Sequence, residues 1–186
     1  MGLLRTGINE IIATTSFNAA PIGIHYRDGV PRMILFPESH TYINVQHDGW
    51  VIANIIHDPV LYVQTAFEDL PKDAFVEEPV AGKVMYRLAD AEAWIAFTTT
   101  ETCGSAGGVL NITLKIEKEI IETVAVYPIN RGFNSIIDAT VHATRYKFSN
   151  DPELKKLIDY HVSLIRKCGG KKEIKALDLL LNYIGE

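Results

Sequence analysis

The sequence predicts a mainly β chain with α: strands over residues 1–128 that close as a barrel, and about three helices over 129–186 packed on it. Three observations carry this. Between Ile8 and Ile56, runs of β-branched and aromatic residues of strand length are cut at short intervals by Gly, Pro, Asn and Asp. From Asn130 the apolar residues recur at helical spacing. The apolar fraction of 47% over 186 residues is enough for one sizeable core.

In chain order, Ile8 to Thr15 comes first; it is rich in β-branched residues and stops at Ser16-Phe17-Asn18, where polar, αL-tolerant residues allow a tight reversal into a hairpin. Ala19 to Tyr26 is the returning strand. It begins with small residues closed by Pro21, which cannot donate to a ladder and so belongs at an edge or bulge; such an edge leaves bare backbone open to a flat ligand. Arg27-Asp28-Gly29 makes the next turn, and Pro31 to Phe36 forms a third strand. Ser39 then sits at an N-cap position and opens a short helix, Thr41 to about Gln46, terminated by Asp48-Gly49. A helix start offers unpaired N–H groups and partial positive charge, and Ser39, His40 and Thr41 add side-chain donors, so the junction suits a phosphate. The plainer alternative is that Ser39 only caps its own helix.

Trp50 to Ile56 is a further strand in which Asn54 is the single carboxamide. A carboxamide in a buried run either ties down neighbouring backbone or hydrogen-bonds a polar ligand, and the residues alone leave both open. Asp58-Pro59 starts a helix with Asp58 as cap and Pro59 at its first position, followed by Val60, Val63 and Phe67 at helical spacing. Leu70 to Glu78 reads as a polar connection, and Ala89–Thr100, Val109–Thr113 and Ile120–Tyr127 as strands that complete the barrel. Thr102 to Gly108 lacks the lysine and the following helix of a phosphate loop, and is read as a flexible loop with Cys103 incidental.

Three helical patterns close the chain. Phe133, Ile136, Ile137, Thr140, Val141 and Thr144 fall on one stripe; Asp151-Pro152 opens a second, with Leu154, Leu157, Ile158, His161, Leu164 and Ile165; Glu173 to Tyr183 is the third. His142 and His161 lie within these patterns and are read as core or interfacial histidines with satisfied nitrogens rather than ligands, since no HxxxH or HxH pair occurs. No metal site is expected.

The formal charge of −5 argues against nucleic acid as a partner. No apolar run approaches a membrane span, and the first twelve residues carry Arg5, Asn9 and Glu10, unlike a signal peptide. Cys103 and Cys168 form no framework or metal spacing, so a reducing cytoplasm is the expected setting.

The succession of a hairpin leading into NAAPIG (18–23), a strand before SHTYIN (39–44), then GWVIANIIHDP (49–59) resembles the split barrels of the flavin-reductase and pyridoxamine-phosphate-oxidase type. Within that superfamily it is most similar to a largely archaeal family that binds flavin mononucleotide (FMN) and has no assigned reaction, a family that INRGFNSIIDATVHATRYKF (129–148) also resembles. The resemblance implies an FMN-binding split β-barrel. Carried over by position, it implies ring or ribityl contacts from Asn18, Ala19, Ala20, Pro21 and Ile22, phosphate contacts from Ser39, His40 and Thr41 with Tyr42 beside them, and a polar contact from Asn54. Many relatives place lysine or arginine at the phosphate, whereas this chain has neither between Arg32 and Lys72. The charge must come from Arg32, from His40, or from an arginine brought by the C-terminal helices or a second subunit, for which Arg131 and Arg145 are the candidates. The resemblance further implies a homodimeric flavin-dependent oxidoreductase acting on a small molecule. Alternatives of another class are a flavin store or sensor, or a split barrel holding haem or a deazaflavin.

Overall fold

The computed structural model describes residues 2–37, 39–104 and 106–185. It divides into two compact units, one of residues 1–56 and 70–125 and the other of 57–69 and 126–186.

The first unit is built on a closed barrel of β1 (Gly7–Thr15), β2 (Asn18–Arg27), β3 (Val30–Leu35), β4 (Trp50–Ile55), β7 (Ala93–Gly104) and β8 (Leu110–Ile121), in the order β1-β2-β3-β8-β7-β4. Every neighbouring pair is antiparallel. The turns are those the residues dictate. Asp28 and Gly29 both take positive φ, 53° and 76°, the backbone of a two-residue hairpin whose twist matches its strands. Ile11, Ala13, Ile24, Met33, Val51, Ile95, Phe97 and Ile112 point inward and are buried together. Alternate residues face away from this core, at the period of a strand, and on β1 and β4 these, Ile12, Thr14, Ile52 and Asn54, are buried as well. Between β3 and β4 runs α1 (His40–Asp48), stopped by Gly49 at φ 68°.

A second sheet was not legible in the sequence. β5 (Phe75–Val80) and β6 (Lys83–Leu88) form a hairpin beside β4 and β1; β5 begins inside what reads as a polar connection, Leu70 to Glu78, and β6 lies in a stretch for which no strand was expected. Glu77-Glu78-Pro79 resembles a linker, yet Glu78 accepts from Arg87 Nε at 3.0 Å and from Lys118 Nζ at 3.3 Å, with little exposure of Arg87 and Glu78. Glu122 accepts from the Trp94 indole at 2.8 Å close by. The end of the barrel also differs from expectation. Leu110–Thr113 and Ile120 belong to one long strand, because the polar alternation Lys115–Glu119 continues the ladder to β7. Beyond Ile121 there is no strand among the described residues: Val124 and Val126 are 86% and 93% exposed. The glycine-rich loop is shorter than expected, since Thr102, Cys103 and Gly104 pair with Ile112, Asn111 and Leu110; Ser105 lies outside the described residues.

The second unit holds four helices: α2 (Pro59–Phe67), α3 (Arg131–Ser149), α4 (Pro152–Cys168) and α5 (Lys171–Ile184). Asp58, Asn130 and Asp151 cap the first three through their side-chain oxygens. Their shared core includes Val63, Ile136, Ala139, Ala143, Ile158, Ile165, Leu177 and Leu180. Val63 places α2 in this core, whereas its position in the sequence suggested the barrel domain of 1–128. His57 is sandwiched between Tyr127 and Phe133, with ring centroids 4.0 and 4.3 Å away. The start of α3 meets the end of α4 backbone to backbone: a Cβ on Gly132 would fall 2.5 Å from Gly169 Cα and 2.7 Å from Gly169 N.

Candidate functional site

β2 is paired on only one side for six of its ten residues. Toward β1 the register runs without a break from Asn18↔Thr15 to Tyr26↔Gly7, but toward β3 it covers only Ile24–Arg27. From Asn18 to Gly23 the outer edge therefore has no strand partner among the described residues. Pro21 lies in that stretch, opposite Ile12, and its missing N–H removes nothing the sheet uses on that side. Asn18 and Ala19 are buried, while Ala20, Pro21, Ile22 and Gly23 are half-buried. The result is a shallow edge of bare backbone with small side chains, as the sequence implied.

α1 is fixed beside this edge by polar contacts at both ends. The Asn18 carboxamide donates to Thr41 Oγ1 at 2.9 Å, and Asn44 donates to the carbonyl and hydroxyl oxygens of Thr15, both at 3.2 Å. At the other end Ser16 Oγ donates to Asp48 at 2.8 Å. The Asp48 carboxyl is held below its usual range, first by the hydrogen bond with His47 and, against the opposing effect of burial, by that from Ser16. Thr15 and Asn44 are the members that sequence reasoning missed. Their only signal was polarity at a strand end and on the inner side of a short helix.

The junction is thus assembled as expected, but its hydroxyls are occupied differently. Ser39 Oγ accepts from Tyr42 N at 3.2 Å and donates to the Phe36 carbonyl at 3.1 Å, which is the capping role. Thr41 is buried, with its oxygen accepting from Asn18. What faces outward at this helix start is exposed Ser39 and His40, while the first-turn amide of Tyr42 is already taken by Ser39. Phe36 and Ile43, 64% and 55% exposed, flank it with apolar surface.

Asn54 settles into the other of its two readings. It is fully buried; its amide donates to the Ile12 carbonyl at 2.9 Å and Thr14 Oγ1 at 3.0 Å, and its oxygen accepts from Leu88 N at 2.8 Å. A side chain spent in this way has no donor left for a cofactor, so the contact implied by resemblance is replaced by a structural one: Asn54 ties β6 to β4 and β1. Thr14 adds a second tie, donating to the Tyr86 carbonyl at 2.6 Å. Arg131 and Arg145 are both exposed on α3, in the helical unit.

Residues 9–123 match the model of a protein of unknown function (DUF447), N-terminal domain, and residues 130–182 match the second model of that family. The chain belongs to the DUF447 family. An uncharacterized protein of Methanocaldococcus jannaschii is 22% identical over 95% of this chain and 98% of its own length. The crystal structure of an FMN-bound protein of Methanosarcina mazei, from the same family, is 36% identical with a TM-score of 0.91, covering 96% of each chain. A Shewanella frigidimarina structure with a split barrel domain matches at 14% identity and a TM-score of 0.53, over 64% of this chain and 70% of that one. At that identity the likeness shows the fold alone, and the fold is a split barrel. Among the described residues no helix is long and apolar enough to cross a membrane.

Proposed function

We propose that this DUF447 chain binds FMN, with the isoalloxazine along the open edge of β2 and the phosphate at the start of α1. The observation that carries the reading is the convergence of an unpaired, small-residue strand edge, Asn18–Gly23, with an exposed helix N-terminus. The FMN of the M. mazei relative, whose fold coincides over nearly the whole chain, supports it. The residues fit the group. The edge offers main-chain donors and acceptors to the rim of a flat ring, its alanines leave room for close approach, and the α1 amides with His40 offer donors to a phosphate. Asn18 and Thr41 hold the junction in place. When bound, FMN supplies hydride and electron transfer, and the chain binds and orients it toward a small-molecule substrate.

Fluorescence titration is expected to give one FMN per chain, and a protein that leaves flavin emission unchanged at micromolar concentrations would refute the reading. The Ser39→Ala, Thr41→Ala double variant is expected to bind at least tenfold more weakly. It removes the cap of α1 and its link to Asn18, each hydrogen bond being worth about 0.5–1.5 kcal/mol.

We also propose a homodimer, in which the second subunit covers the apolar surface of Phe36 and Ile43 and closes the groove; light scattering should then read two chains. For the basic charge at the phosphate, Arg131 and Arg145 are the candidates carried over from the resemblance. Arg131 and Arg145 are separated by fourteen residues, about 21 Å of helix at about 1.5 Å per residue, so a single phosphate is reached by one of them and not both. In alanine variants one arginine is expected to cost tenfold or more in FMN affinity and the other less than twofold. Equal losses would count against this assignment.

A further inference from the structure

The histidines of the helical unit are not satisfied as the sequence suggested. His142 on α3 and His161 on α4 each bury an Nδ1 atom that has no hydrogen-bond partner. The two ring centroids are 5.7 Å apart across the helix pair, with planes inclined by 29°. Buried imidazole nitrogens are normally paired, and two orphans side by side on adjacent helices call for a shared occupant. With Nε2 carrying the proton, both Nδ1 atoms present lone pairs, which suits a cation rather than another donor-poor group.

The ring separation admits one ion between the two nitrogens. A metal about 2.0–2.1 Å from each nitrogen lies about 3 Å from each ring centre, so two imidazoles around it stand about 5–6 Å apart, which brackets the observed 5.7 Å. Asp138, one turn before His142, and Arg145, almost one turn after it, lie along the same stretch of α3 with opposite charges, so neither sign dominates the surroundings. No group of three or more potential protein ligands occurs among the described residues, which leaves the other coordination positions to water. We propose that His142 and His161 form a two-histidine site for a late first-row divalent ion such as Zn²⁺ or Ni²⁺, clamping α3 to α4. Imidazole pairs select such ions over Mg²⁺, which prefers oxygen ligands. The site is independent of flavin binding.

The test is thermal unfolding of the full chain, first stripped with EDTA and then supplied with Zn²⁺, Ni²⁺ or Mg²⁺. Zn²⁺ or Ni²⁺ at about a hundredfold excess over the dissociation constant should raise Tm by about 5 °C, with one ion bound per chain by calorimetric titration, and Mg²⁺ should not. His161→Asn, on a half-exposed face of α4, and His142→Gln should each abolish the shift while keeping the far-ultraviolet circular dichroism of the parent. No shift with either ion, or a shift that survives in His161→Asn, overturns the proposal. Should a variant fail to fold, one equivalent of Cu²⁺ on the parent chain decides by electron paramagnetic resonance: coupling to two imidazole nitrogens supports the site, and coupling to one or none overturns it.

Discussion

Asn54→Leu is expected to destabilise the protein by about 3–4 kcal/mol, because it leaves the buried Leu88 N–H without an acceptor and removes both donors of the carboxamide at once. Leucine has nearly the right volume, so the loss is one of polar pairing rather than packing. Asn54→Asp makes a sharper comparison. It keeps an acceptor for Leu88 but turns a carboxylate toward the Ile12 carbonyl in a site with no exposure, which disfavours the charged form. Its folded-state pKa is therefore raised above the unfolded value, and its relative stability is present below about pH 4 and lost as pH rises through the folded value. Urea denaturation of both variants, the second as a function of pH, measures this. A loss under about 1 kcal/mol for the leucine variant would show that β6 is held by something other than Asn54.

Gly132→Val should cost about 3 kcal/mol or more. Any Cβ at this position collides with the backbone of Gly169, and backbone cannot rotate aside as a side chain can. The competing gain from helix propensity is at most about 1 kcal/mol for Gly→Ala and smaller for valine, so the clash decides the sign. Relief would require α3 and α4 to part where Ile136, Ile158 and Ile165 are now fully buried. Denaturant unfolding checks the magnitude; a variant as stable as the parent would mean that α3 and α4 do not meet backbone to backbone at Gly132 and Gly169.

What was legible in the sequence is local. Asp28-Gly29, Ser39 before a short helix, and Asp58-Pro59 announce their turns and caps through side-chain chemistry that acts within a few residues, and each lies where the residues place it. The unpaired edge at Ala19–Gly23 was also announced, by Pro21. What depends on distant partners was not legible. Glu77-Glu78-Pro79 looks like a linker until Arg87 and Lys118 stand beside it. Asn54 could serve ligand or fold until β6 is seen to supply the Leu88 amide. The histidines looked satisfied because a helical stripe tells which residues face inward but not whether anything there accepts or donates.

The placement of α2 sets an order of events during synthesis. Val63 and its neighbours emerge from the ribosome with the barrel strands, yet the residues that bury them, Ile136 to Leu180, are made only after about seventy to a hundred and twenty more. At about 5–20 residues per second the α2 segment waits several seconds with its apolar face unsheltered. A fragment ending near residue 128 makes that delay permanent. Such a fragment should recruit chaperones or aggregate through Val60, Val63 and Phe67, whereas excision of residues 57–69 together with 126–186 would remove the exposed helix along with its missing partners.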